Sequence, residues 1–317
     1  MTERDDSTFD TTAELLGTIT TRLGERLSQV RPYGAARDTR PTLVAVGHGS
    51  RDPRAAATLG RLAERVRELR PGLDVRLAHI ELNPPLLPDA LAALAPAAPA
   101  DVGPGSADLA RTDPARTDLA RTGRAAAPAR PRAVLVPLLF GPGHHVKHDL
   151  PAAAAALPEG RVRIAAPLGA HPLLVEALAD RLTESGWTSA DSTSRATGVV
   201  LAAAGSRDPE GLAAVRLIAA ALSERLGGTP VLPAYASAAT PTVPDAVRAL
   251  AARGRHRVAV ASCFTAPGRF AAHATAHAPW IAAHPLGDHP ALARLVLHRY
   301  DQALTAPAAS WRELASA

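Results

Sequence analysis

Short apolar runs alternate along this chain with amphipathic stretches, and the junctions between them are rich in glycine, proline and histidine. Thr42–Gly47 (T-L-V-A-V-G) predicts a buried strand, followed by the turn H-G-S-R-D-P. Asp52 before Pro53 fits a helix cap followed by proline at the first helical position. That helix is expected to end near Arg70, before Pro71 and Gly72. Residues 73–80 form a second predicted strand, the loop E-L-N-P-P follows from Glu81, and residues 86–94 a helix. Residues 133–140 predict a third strand, which leads through G-P-G-H-H-V-K-H-D-L-P into an alanine-rich helix. A fourth strand is expected at 161–165 and a helix from His171-Pro172. Before all this, residues 1–40 read as a flexible polar leader with one amphipathic stretch (Leu15, Leu16, Ile19, Leu23, Leu27).

The pattern then repeats. G-S-R-D-P at 49–53 recurs at 205–209, and P-D-A at 88–90 recurs at 244–246, both at an offset of 156. P-L-G-A-H-P at 167–172 returns as P-L-G-D-H-P at 285–290, an offset of 118. The offset falls because residues 96–132 are an insertion of Ala, Pro, Asp, Arg, Thr and Gly that cannot build a core and is expected to be disordered. The expected fold class is therefore α/β, with two homologous lobes (41–190 and 196–305) and a tail at 306–317. Each lobe is expected to hold a mainly parallel four-stranded sheet with helices on both faces.

Composition changes this picture little. Hydrophobic residues make up 47% of the 317 and aromatics only 3%, so the cores must be aliphatic. The formal charge of +5 is nearly all arginine, Lys147 being the only lysine. No basic run interleaved with aromatics suggests nucleic-acid binding. No run of 18 apolar residues suggests a membrane span, and the first residues lack the apolar core of a signal peptide, so a cytoplasmic protein is expected. With one cysteine, Cys263, no disulfide can form within the chain. Neither a phosphate-binding G-x-x-x-x-G-K-[ST] nor a dinucleotide-binding glycine motif is present, so ATP and NAD are unsupported.

Metal-type groups follow three predicted strands of lobe one: His48, Glu81, and His145 with His144 and His148. The repeat tests them. His48 aligns with Ala204, Glu81 with Ser237, and His145 falls near Arg269 or Phe270. The turn glycines, the capping aspartate and the His-Pro pair occur in both lobes, while the three ligand-type residues are absent together from the second. Joint absence points to one shared task in lobe one: a site of two imidazoles and a carboxylate for Fe²⁺, Co²⁺ or Zn²⁺, with positions left open for substrate. Other readings of the same residues are structural. His48 could hydrogen-bond a strand end, His144 and His148 could be solvated, and Glu81 could be a surface carboxylate. His171 and His289, each before a proline, read as helix caps. Ser50 and Ser206 read as turn residues, since the G-x-S-x-G elbow of a serine hydrolase is missing.

Three motifs together resemble the sirohydrochlorin chelatase family, the class II chelatases of cobalamin and siroheme biosynthesis. They are H-G-S-R at 48–51, Glu81 with its proline-containing loop, and P-L-L-F-G-P-G-H-H-V-K-H-D-L-P at 137–151, whose spacing before Asp149 selects His145 over His144. The resemblance covers about residues 42–305 and implies a lyase-type enzyme that inserts Co²⁺ or Fe²⁺ into sirohydrochlorin without ATP. It implies His48, Glu81 and His145 as metal-holding and catalytic residues, the divalent ion as substrate and no permanently bound cofactor. Arg51, Arg54, His144, Lys147 and Arg269 are candidates for contact with the carboxylates of the tetrapyrrole. A fused two-lobed chain is expected to be monomeric. The alternatives are a non-catalytic metal carrier or sensor and a chelatase for another tetrapyrrole.

Overall fold

Strands that are apolar on both faces can pair only inside a layer covered on both sides. β1 (Thr42–Gly47) is buried at every position. In the computed structural model, which describes residues 40–94 and 131–306, it lies inside a parallel sheet of order β2-β1-β3-β4. Its neighbours are β2 (Val75–His79), β3 (Ala133–Pro137) and the short β4 (Val162–Ile164), and Leu43 stands opposite Val75 on one side and Val134 on the other. Lobe two has the parallel order β6-β5-β7, from β5 (Thr197–Ala203), β6 (Val231–Tyr235) and β7 (Arg257–Ser262). Nearly all of the expected leader, tail and 96–132 insertion lies outside the described residues.

Two expectations need correction. β3 stops at Pro137 rather than at residue 140: proline has no N–H to offer toward β4, although the Leu138 N–H still bonds the Val46 carbonyl of β1 (2.8 Å). The fourth strand expected in lobe two is reduced to one parallel bridge, Val260 to Ala282. Prolines 279 and 285 bracket that segment and leave little backbone able to pair.

The helices begin where the caps predict. Asp52 accepts the Arg54 N–H (3.0 Å) at the start of α1 (Pro53–Leu69). After α2 (Leu87–Ala92), α3 (Leu150–Ala155), α4 (Pro172–Glu184) and α5 (Ser189–Thr193), Asp208 repeats that contact for α6 (Pro209–Arg225), accepting the Glu210 N–H (2.9 Å). The chain continues with α7 (Val243–Ala251), α8 (Arg269–Thr275) and α9 (Pro290–Thr305). The repeat is visible in backbone angles as well. Gly49 and Gly205 have φ of 105° and 96°, and Gly169 and Gly287 both have 62°.

Each lobe's last helix covers the other lobe. α9 packs against α1, α4 and β3, while α4 packs against α6 and β7. Tyr300 on α9 is fully buried and donates its hydroxyl to the Pro41 carbonyl (2.6 Å), and Arg70 pairs with Asp301. One core therefore runs through both sheets, joining Leu62, Val136 and Leu178 to Leu201, Leu222 and Leu295. Separate smaller cores back the outer faces, with Val44, Leu91 and Leu150 in lobe one and Val200, Leu250 and Val260 in lobe two. The exchanged helices hold the lobes in one arrangement and so set the cleft between their strand ends.

The two His-Pro pairs are caps, as the repeat suggests. His171 Nδ1 accepts the Leu173 N–H at the start of α4, and His289 Nδ1 accepts the Ala291 N–H at the start of α9 (3.2 Å each). Burial holds both imidazoles below the usual histidine range, and Asp180 near His289 only partly opposes this. Protonation would remove the accepting lone pair. The unfolded chain takes up these protons more readily, so the stabilisation is present above the ordinary histidine value near ~6.5 and is lost as pH falls below it. Thermal unfolding should move to lower temperature between pH 7.5 and 5.5. The double variant His171→Asn, His289→Asn, which keeps a capping acceptor that does not titrate, should show a shallower slope; an unchanged slope would exclude this source.

Candidate metal site at the inter-lobe cleft

His48 and Glu81 meet because the β1–β2 ladder continues one step past the strands. Ile80 N–H bonds Gly47 C=O (2.9 Å) and Glu81 N–H bonds His48 C=O (3.0 Å). This sets the two side chains together, His48 Nδ1 lying 3.4 Å from Glu81 Oε1. The approach depends on Gly49, where a Cβ would stand 1.8 Å from the Glu81 carbonyl oxygen. Ser50 N–H donates to Asn83 Oδ1 (2.7 Å) and ties the two loops together. Lobe two builds the same frame. Ser237 N–H bonds Ala204 C=O (3.0 Å), and a Cβ on Gly205 would stand 1.9 Å from the Ser237 carbonyl oxygen. The frame is kept with Ala204 and Ser237 where lobe one has His48 and Glu81.

His145 comes from the loop after β3. There the chain forms one turn of π-helix, His145–Asp149, in which the Leu150 N–H reaches the His145 carbonyl. Such turns are frequent at functional sites. His145 and Asp149 share a face, and His145 Nδ1 lies 2.5 Å from Asp149 Oδ2. A carboxylate on one ring nitrogen fixes the tautomer and leaves the Nε2 lone pair available to a metal ion. The His145 and His48 rings are 4.6 Å apart between centroids and nearly perpendicular (87°). Two imidazoles that share one ion, each at about 2.1 Å, take roughly this separation.

The structure thus brings all three sequence-predicted ligands to one place. They do not form a closed cage: among the described residues no three His, Cys, Asp or Glu side chains are arranged to hold a metal. Glu81 instead contacts the His48 ring, and these two side chains are about half exposed (46% and 52%). Two imidazoles and a half-exposed carboxylate are thus brought together at an open edge rather than in a closed cage. The site borders a cavity of about 900 Å³ between the lobes, lined also by Leu59, Leu138, Val215 and Cys263. The Cys263 thiol is fully buried, and burial raises its pKa, so it does not supply a thiolate.

The other sequence candidates fall differently. Arg51 lines the cleft and has no ion pair among the described residues, and Arg269 lines it with its guanidinium over Phe270. Arg54 is held by Asp52 through two guanidinium nitrogens. His144 is largely exposed and lies beside His148, with ring centroids 4.7 Å apart. Lys147, expected at the rim, points across the interface: its Nζ pairs with Asp208 (2.9 Å) and Glu210 (3.0 Å) of lobe two. The chain's only lysine thus ties the His145 turn to the second lobe. Ser50 and Ser206 each accept a turn N–H, from Asp52 and Asp208. Sequence reasoning passed over Asp149 as a functional residue, although its i,i+4 spacing from His145 was a usable signal.

A model of the CbiX family matches residues 42–102, 112–185 and 198–303. Among solved structures the chain is similar to SirB from Bacillus subtilis with Fe³⁺, at 20% identity and a TM-score of 0.59 over 84% of this chain and 96% of that one. It is also similar to the sirohydrochlorin chelatase SirB from Bacillus subtilis subspecies spizizenii in complex with cobalt (18%, TM-score 0.56, 86% and 99%). A third is CbiX, described as the terminal enzyme for biosynthesis of siroheme in denitrifying bacteria (20%, TM-score 0.53, 83% and 100%). No curated protein sequence matches the chain. The solved structures share its fold, and the family model spans both lobes and the strand ends that carry His48, Glu81 and His145; the chain belongs to the CbiX family.

Proposed function

We propose that this protein is a sirohydrochlorin chelatase that inserts Co²⁺ or Fe²⁺ into its substrate without ATP. The observation that carries this reading is the placement of His48, Glu81 and His145, from three strand ends of one lobe, at the edge of a cleft of about 900 Å³. A site that only stored an ion would have no use for a cavity of that size, which is near the upper end for small-molecule pockets. Membership of the CbiX family supports the same reading, as does the likeness to SirB with Fe³⁺ and to the sirohydrochlorin chelatase SirB in complex with cobalt.

In this reading the two imidazoles and Glu81 hold the divalent ion, with water in the open positions. The macrocycle enters between the lobes and exchanges its pyrrole nitrogens for the protein ligands one at a time. Two N–H protons leave as the ion enters, and a nearby base accepts them. Arg51 and Arg269 suit the substrate's carboxylates, because a guanidinium pairs with a carboxylate in a planar fork. Lobe two supplies the facing wall. No resident cofactor is required, and a monomer contains both walls.

The test is anaerobic mixing of protein, sirohydrochlorin and either Co²⁺ or Fe²⁺, followed in the visible spectrum against protein-free controls. Acceleration with either ion is expected, and the ratio of the two rates identifies the metal. Bound metal with no acceleration for either ion would turn the assignment to a carrier.

A further inference from the structure

Beside the main cleft, a second cavity opens at the lobe interface, lined by His144, His145, Lys147, His148, Asp208 and Glu210. His144, His145 and Ser206 line both cavities, whereas His148 lines only the second. On the outer side His144 and His148 are exposed and stand four residues apart on the same helical stretch, with ring centroids 4.7 Å apart and ring planes within 36°. That separation is close to the 4.6 Å of His48 and His145. It is also about what two imidazoles need to share one ion at roughly 2.1 Å. The His144 and His145 rings, at 6.1 Å, are farther apart.

Asp149 links the two pairs. Its Oδ2 is 2.5 Å from His145 Nδ1, and its Oδ1 is 3.9 Å from His144 Nε2. Ligand-type groups therefore run without a gap from solvent to the cleft: His148, His144, Asp149, His145, His48, Glu81. Charge in the niche does not oppose a cation. Lys147 and Arg207 line it together with Asp208 and Glu210, Lys147 being paired with both carboxylates, and Asp149 beside His144 and His145 adds one further negative charge.

We infer that His144 and His148 form a second, outer binding site for a divalent first-row ion, from which the ion passes by way of Asp149 to His145 and His48. Only metal–ligand bonds change along this route; the ion stays divalent, and water completes its coordination at each stop. Two exposed imidazoles bind weakly and exchange quickly, which suits a site that receives an ion rather than keeps it. The direction of travel rests on the chelatase reading; the existence of the outer site does not.

The test is residue-resolved. Ring ¹⁵N signals of the histidines are followed in the full-length protein while Zn²⁺, a diamagnetic probe, is added at pH 7.5. The His144 and His148 signals should shift together, with a midpoint distinct from that of His48 and His145. In His148→Ala the His144 response should weaken by tenfold or more, and the His48 signals should still respond. An unchanged His144 midpoint in that variant, or silence of both outer rings while His48 and His145 respond, overturns the site. Neither result touches the chelatase assignment, which stands or falls on turnover.

Discussion

His145→Ala is expected to lose metal insertion almost completely while keeping its fold. Changing a residue that merely supports a metal ligand costs roughly 10- to 100-fold, and His145 is the proposed ligand itself, so a loss of more than about 100-fold is expected. Asp149→Asn, which keeps the shape but weakens the hold on His145 Nδ1, should fall within that smaller range. Stability should change little. His145 is only partly buried, and alanine fits a helical turn at least as well. The check is a pair of measurements on each variant: insertion rate and thermal midpoint. A folded His145→Ala protein with near-normal turnover would remove His145 from the site.

The second large effect is expected at Gly49. At φ 105° an alanine is strained, and its Cβ would stand 1.8 Å from the Glu81 carbonyl oxygen, a backbone atom that can move only with its loop. Backbone strain and overpacking together should cost roughly 3 kcal/mol or more. Gly205→Ala, with its Cβ 1.9 Å from the Ser237 carbonyl oxygen, should cost about the same stability. The two differ in what they displace. Gly49→Ala pushes Glu81 away from His48 and should weaken Co²⁺ binding as well. Gly205→Ala moves Ser237, which has no part in the proposed metal site. Denaturant unfolding and Co²⁺ titration of both variants separate frame from function. Equal losses of Co²⁺ affinity in the two would contradict a site confined to lobe one.

Much of this was legible in the chain because it rests on local chemistry. β1, the Asp-Pro caps, the His-Pro caps and the turn serines follow from residue types at fixed spacings, and the internal repeat supplied a control. The repeat separated residues kept in both lobes with the fold, such as Gly49 and Gly205, from those found in lobe one alone and proposed to hold the ion, such as His48 and Glu81. The features that escaped depend on contacts between distant segments. Nothing in the apolar faces of α4 and α9 reveals that each covers the other lobe, because aliphatic faces are interchangeable at the level of pattern. Lys147 read as a rim cation because its partners Asp208 and Glu210 lie in the other lobe. The missing strand of lobe two was obscured by an apolar stretch that resembles a strand but is bracketed by prolines.

The central claim is that lobe one alone holds the ion, on His48, Glu81 and His145. Crystals of the full-length protein carrying one equivalent of Co²⁺, measured at the cobalt absorption edge, test it most directly. The account predicts one dominant anomalous peak between the His48 and His145 rings, about 2.1 Å from a nitrogen of each, with Glu81 turned toward it. The strand ends at Ala204 and Ser237 should be empty. A dominant peak in lobe two, or one that His48 and His145 do not touch, would contradict the account.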